Sequence, residues 1–393
     1  MADTSLPEPV ADSSVNLATA PGQPVSNAQP AAPVGLTPRQ ARLRNLHPGW
    51  FASVMGTAIV AVATYNNPGN VTALRGVAHG IGAVVAVLAY ALGIALIVAY
   101  AARWVRHTDA ARADLHHPIM GAMHATLPAG LLVLAVMTSV VGPELFPATA
   151  VTAIIAALAI VGVTLGLIVS VAFAYTLFTS EHPIAAVNGG WFIPPVTTII
   201  IPMALTPLMP HVGAGTARLL LAVGYATLGM GFLLFVFTMS LLHDRLVLHP
   251  LPPAALAPTV WIGLGPVGVG TLVALGLARA GQPMFGDSGP TISIISLLFA
   301  TAVWGFGLWW LAIAVALLVR YMRAGGMPFH LGWWAFTFPL GAFTVASVNL
   351  ARAWDAPALE ALAALLYLAL VGFWLVVSMR TAVATRSGRI WLR

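Results

Sequence analysis

The sequence predicts an all-α integral membrane protein with ten transmembrane helices. Three observations carry this. Of the 393 residues, 59% are hydrophobic and only 7% charged, whereas a soluble domain carries roughly 25% charged residues. Ten apolar runs come close to or exceed the length of about 20 residues that a bilayer-spanning helix needs. The arginines gather at alternate ends of those runs, as membrane topology demands.

The runs lie at roughly 50–66, 77–101, 118–142, 149–179, 191–210, 215–243, 257–281, 290–322, 331–352 and 357–384. None alternates in polarity as a barrel strand would. With the N-terminus in the cytoplasm, the inner set is Arg39, Arg42, Arg44, Arg103, Arg106, Arg112, Arg245, Arg320, Arg323, Arg380, Arg386, Arg389 and Arg393. The outer set is Arg75, Arg218, Arg279 and Arg352. Such a bias predicts an even number of spans and two cytoplasmic ends, in the inner (plasma) membrane. Three segments are expected: a disordered tail over 1–44, a transmembrane domain over 45–385 and a short basic tail over 386–393. Residues 1–38 hold seven prolines, and such composition buries too little apolar area to fold.

Trp50, Met120, Trp191, Trp261 and Trp333 open the odd-numbered spans at intervals of 70, 71, 70 and 72 residues. The spacing predicts five repeated helical hairpins in parallel orientation. Pro128, Pro194, Pro195, Pro202, Pro266 and Pro339 all fall within odd spans, while even spans have no interior proline. A proline inside a helix frees a carbonyl and bends the axis, and the freed group must meet protein or water rather than lipid. The odd helices are therefore expected to form an inner pore ring, with the even helices outside.

Several chemistries are excluded or weak. The chain has no cysteine, so disulfide and thiolate chemistry are out. The arginines form no single patch, which argues against nucleic acid. No G-x-S-x-G string or nucleophile dyad is present, so no catalytic residue is assigned. His116, His117 and His124 have no nearby carboxylate and give no metal site; no cofactor is expected. "GLGPVGVG" at 263–270 lacks G-K-[ST] and reads as close helix packing rather than a phosphate loop.

No Asp, Glu or Arg is expected deep in a span, which argues against a proton pump or a cation channel. An uncharged pore of bent helices suits anions, because helix N-termini present partial positive charge. The candidate pore-lining residues are His124, Thr126, Pro194, Thr197, Pro266, Trp334, Pro339, Ala342 and Asn349. His124 reads equally as a helix-contact histidine. On a helix, Trp334, Phe338, Ala342, Val345 and Asn349 share one face. Phe338 then either packs between helices or projects into the pore as an apolar gate.

The strings "HPGWFASVMGTAIVA" (47–61), "HPIMGAMHATLPAG" (117–130) and "GWWAFTFPLGAFTVASVNLA" (332–351) resemble the tellurite-resistance/dicarboxylate transporter family. That family includes slow-type anion channels and malate and sulphite transporters, and the resemblance spans roughly residues 45–385. It implies a homotrimer in membrane lipid, each subunit with its own pore. It also implies that the phenylalanine preceding the proline of a T-F-P string, Phe338, occludes the pore. The expected function is passage of a small anion: a C4-dicarboxylate such as malate, sulphite, chloride or nitrate. A proton-coupled sulphite or organic-acid efflux transporter is the alternative, and a membrane enzyme a weaker one.

Overall fold

The computed structural model describes residues 37–115 and 118–391. Most of the expected N-terminal tail, together with His116 and His117, lies outside the described residues. The end of that tail is helical. Thr37 and Gln40 form a reciprocal capping box on α1 (Pro38–Arg44).

Thirteen α-helices follow one another in chain order, with no strand among the described residues. Five are short and buried: α2 (Phe51–Tyr65), α6 (Thr126–Val141), α8 (Ile193–Leu205), α10 (Leu264–Phe285) and α12 (Phe338–Ala353). Five are long: α3 (Arg75–Arg106), α7 (Ala148–Thr179), α9 (Ala214–Leu248), α11 (Gly289–Arg323) and α13 (Pro357–Arg386). α4 (Thr108–Leu115) and α5 (Pro118–Met123) are short connecting pieces.

Burial separates the two classes. Spans built on short helices are 78–89% buried where they stand as separate stretches, against 22–28% for those built on long ones. The long helices expose large apolar side chains such as Val84, Ile160, Phe237, Ile295 and Leu368, as a lipid-facing surface requires. Each short helix packs on the long helix that follows it. The short helices also touch in sequence, α2 on α6, α6 on α8, α8 on α10, α10 on α12, and α12 back on α2.

Nine uninterrupted helical stretches among the described residues are long and apolar enough to cross a membrane, rather than ten. One of them, Ala257–Arg323, is 67 residues long, about 100 Å at 1.5 Å per residue, too long for one crossing. It divides at Gly286, whose φ of 52° ends α10 and lets α11 begin.

The prolines act differently from the sequence expectation. Most do not bend a helix in mid-span. The segments Pro48–Trp50, Gly189–Phe192, Ala257–Gly263 and Leu331–Phe336 enter the membrane as 3-10 turns, and the α-helix begins only afterwards. Pro128, Pro194, Pro195, Pro266 and Pro339 then fall within the first three residues of α6, α8, α10 and α12. There a missing N–H removes no intrahelical bond and the fixed φ suits the helix. Pro202 is interior to α8, and Pro283 lies near the end of α10.

Close backbone crossings hold the short helices together. A Cβ on Gly268 would lie 2.5 Å from the Phe343 backbone nitrogen and 2.6 Å from the Ala342 carbonyl carbon. Within the glycine-rich string at 263–270, Gly268 is therefore an interhelical contact where only hydrogen fits. At the end of α3, fully buried Arg103 pairs with Asp114 of α4 at 2.7 Å and donates from Nε to the Arg44 carbonyl at 2.9 Å. This charged pair, which sequence reading missed, ties α1 and α4 to the bundle.

Gly268→Val should destabilise the bundle by about 1–3 kcal/mol, the usual cost of overpacking. Thermal unfolding in detergent should show a lower midpoint; an unchanged midpoint would mean that α10 and α12 can separate freely.

Candidate functional site

Two cavities lie inside the cycle of short helices, one toward each membrane face. The first, of about 70 Å³, lies toward the face that carries both described chain ends. Its wall combines residues from the starts of five helices, Ala52 and Met55 of α2, Thr126 of α6, Ile193 and Val196 of α8, Gly265 of α10, and Phe338 and Pro339 of α12, with residues of the entries before them such as Gly49, Met123, Ile262 and Ala335. Five helix N-termini thus converge on one small space. The second, of about 300 Å³, lies toward the opposite face. It is walled by later turns, including Val62, Asn66, Val136, Ser139, Met203, Thr206, Leu272, Val345 and Asn349.

Phe338 is 5% exposed and borders the small cavity. A methyl on Gly265 would meet Phe338 Cε1 at 3.8 Å and Val196 Cγ2 at 3.6 Å. The ring therefore reaches from α12 toward α8 and α10, over the space that a side chain at 265 would occupy. The backbone at Thr337 (φ −94°, ψ −69°) joins the 3-10 entry to α12. Its hydroxyl donates to the Trp334 carbonyl at 2.7 Å.

Thr126, Trp334 and Pro339 also border the small cavity, and Asn349 borders the large one. Trp334 is tethered outward, its Nε1–H donating to Thr381 Oγ1 of α13 at 3.1 Å, so it serves largely as a wall between α2 and α13. The other candidates border neither cavity. Thr197 donates to the Ile193 carbonyl at 2.7 Å, and Gly166 of α7 lies against its methyl; it is a helix-contact residue. Ala342 is held on the Gly268 backbone, and Pro194 and Pro266 are buried in first turns away from the space. His124 sits between α5 and α6, its Nδ1 2.9 Å from the Met120 carbonyl and its Nε2 buried without a hydrogen-bond partner. Among the described residues no group of three His, Asp or Glu could hold a metal ion.

The sequence reading aligned the repeats on tryptophan and missed the residues that start them. His47, Asn188 and His330 each cap a 3-10 entry by accepting a backbone N–H two residues on: Gly49 at 2.9 Å, Gly190 at 2.8 Å and Gly332 at 3.0 Å. The recurring strings H-P-G-W, N-G-G-W and H-L-G-W are the signal that could have found them. In His330 the other ring nitrogen lies 2.6 Å from the Ala255 carbonyl, so Nε2 carries the proton and Nδ1 accepts. His47 and His330 also wall a vestibule of about 710 Å³, with Arg380, Ser387 and Arg389, that adjoins the small cavity through His47 and Leu331. The C-terminal turn closes one side of it: Trp391 stacks on Trp50 at 5.0 Å, and Asn45 Nδ2 donates to the Trp391 carbonyl at 2.9 Å.

Residues 45–382 match the SLAC1 model, described as a voltage-dependent anion channel. The chain belongs to the SLAC1 family. The tellurite-resistance and dicarboxylate-transporter resemblance in the sequence points to the same group. Relatives include an uncharacterized transporter of Methanocaldococcus jannaschii, 31% identical over 89% of this chain and 96% of its own. The sulfite efflux pump SSU1 of Trichophyton rubrum is 26% identical over 85% of this chain and 89% of its own. The malic acid transport protein of Schizosaccharomyces pombe is 21% identical over 82% of this chain and 74% of its own. The chain is thus a multi-pass membrane protein of a SLAC1 family whose members are anion channels and transporters.

Burial pushes the His330 imidazole below its ordinary value, because desolvation penalises the charged ring, and the hydrogen bond to the Ala255 carbonyl opposes this only in part. The stability it contributes is complete above the unfolded-state value of about 6.5. It is lost as pH falls through that value toward the lower folded one. His330→Asn should keep the cap, as Asn188 does, and flatten the acid side of a plot of melting midpoint against pH. His330→Ala should cost about 1 kcal/mol through the lost cap. A wild-type midpoint that does not fall between pH 7 and pH 5 would contradict this.

Proposed function

We propose that the axis enclosed by α2, α6, α8, α10 and α12 is a conduit for small anions, closed at rest by the Phe338 ring. One observation carries the reading most directly: first turns of five helices face the narrow cavity that Phe338 borders. Each helix N-terminus presents roughly half a positive charge from its aligned peptides. In a low-dielectric site that field favours an anion and opposes a cation. The walls there carry no ionised carboxylate that would reverse the sign. A benzyl group across a space of about 70 Å³ leaves room for about two waters at roughly 30 Å³ each, so a hydrated ion cannot pass. This is a hydrophobic gate.

The substrates proposed are sulphite, C4-dicarboxylates such as malate, chloride or nitrate, moving by channel-like conduction. The named fungal relatives support the first two. The arginine bias supports cytoplasmic placement of the face that carries the chain ends, and we propose the plasma membrane as its location. We also propose a homotrimer of independent conduits and a transmembrane domain over 45–385. His124 favours a second, proton-coupled efflux reading, because its buried Nε2 has no partner at the α5–α6 break. Flux driven by a proton gradient and abolished by His124→Ala would support that reading.

Phe338→Ala should raise anion conductance about tenfold, a barrier lowered by about 1.4 kcal/mol, while Phe338→Leu should change it less. Liposome flux and planar-bilayer recordings with sulphite, malate and chloride check this. A folded Phe338→Ala protein with conductance equal to wild type would overturn the gate.

A further inference from the structure

We propose that Arg279 forms a binding site for small oxyanions at the outer end of the conduit, a reading that rests on the conduit proposed above. The wider cavity is bounded by the ends of short helices, since Asn66 and Thr206 are the C-caps of α2 and α8 and Val140 lies in the last turn of α6. These C-termini present partial negative charge. An anion favoured by the N-termini at the narrow cavity would meet an adverse field here unless a fixed cation offset it. Arg279 of α10 is the charged side chain in that wall.

Its surroundings set it apart from Arg352, another arginine of the expected outer set. Arg352 is committed, with Nε 3.2 Å from Glu360 Oε1 and Nη2 donating to the Asn66 carbonyl at 2.6 Å. Arg279 is exposed at the cavity mouth and has no ion pair or hydrogen bond among the described residues, and no Asp or Glu lines the cavity with it. Arginine on the outer face also runs against the charge bias that orients the chain, so topology does not account for it. A guanidinium offers a planar fork of N–H donors matched to two oxygens of a carboxylate, sulphite or nitrate. The cavity of about 300 Å³ holds about ten waters' volume, enough for such an anion with part of its hydration shell. The site would therefore select oxyanions over halides and hold them at the outer mouth, 14 residues along α10 from Gly265 at the gate, roughly 21 Å at 1.5 Å per residue.

The test uses the full chain with Phe338→Ala, so that the gate does not limit flux. Arg279→Gln should raise the half-saturating sulphite or malate concentration on the outer face about fivefold and change chloride less; Arg279→Lys should fall between. Because the chain has no cysteine, Arg279→Cys gives one labelling site. A cationic methanethiosulfonate applied from outside should restore oxyanion conductance, and an anionic one should suppress it further. If Phe338→Ala conducts anions but Arg279→Gln leaves both half-saturation and the oxyanion-to-chloride ratio unchanged, the site is overturned and the conduit stands. Equal effects of the two reagents would also overturn it. If Phe338→Ala conducts no anion, the conduit fails and the site with it.

Discussion

The architecture depends on where the buried helices begin. In lipid every backbone N–H and C=O must be satisfied within the protein, so an interrupted helix is tolerated only where other helices surround it. The long helices run unbroken for 30–35 residues and face outward. α2, α8, α10 and α12 enter as 3-10 turns and convert to α-helix partway, α6 follows the short α5, and proline stands in the first turn of α6, α8, α10 and α12. That conversion brings helix starts around one narrow space and sets Phe338 at the first position of α12. Glycines at 268 and 341 let the helices close tightly enough for the space to stay small.

Two opposed fields follow from this geometry. The narrow cavity sees helix N-termini and the wider one sees C-termini, so in the proposed conduit an anion would meet attraction and then repulsion. A conduit built this way needs little fixed charge at its centre, and cations are better placed toward its mouths. Arg380 and Arg389 stand at the vestibule beside the chain ends, and Arg279 at the outer cavity. In the proposed conduit, weak, distributed attraction would let an anion enter without being trapped, which conduction requires.

Much of the fold was legible because lipid imposes strict rules. Run length gave the helices, and the break at Gly286 is what divides the 67-residue stretch Ala257–Arg323 into two. The tryptophan spacing located the 3-10 entries of α2, α8, α10 and α12. The role of the prolines was not legible, since a window of apolar residues does not distinguish a 3-10 entry from a kinked α-helix. Thr197 and Ala342 lay on plausible faces, yet small side chains on a crowded bundle go where a neighbouring glycine makes room. Thr197 meets Gly166 and Ala342 meets Gly268, contacts between residues distant in sequence. The capping histidines were written in the repeat strings, but their function appears only once each ring is seen accepting the N–H of a glycine. Arg279 was sorted as a topological charge and escaped notice as a cavity residue.

Accessibility of a single cysteine on the conduit axis tests closure at Phe338 most directly. Val345 borders the wider cavity, and the native chain supplies no competing thiol. If Phe338 seals the axis, Val345→Cys reacts with a membrane-impermeant thiol reagent only from the face opposite the chain ends. Adding Phe338→Ala then opens it to reagent from both faces. Reaction from both faces with Phe338 intact, or from neither, would contradict a conduit closed by that ring.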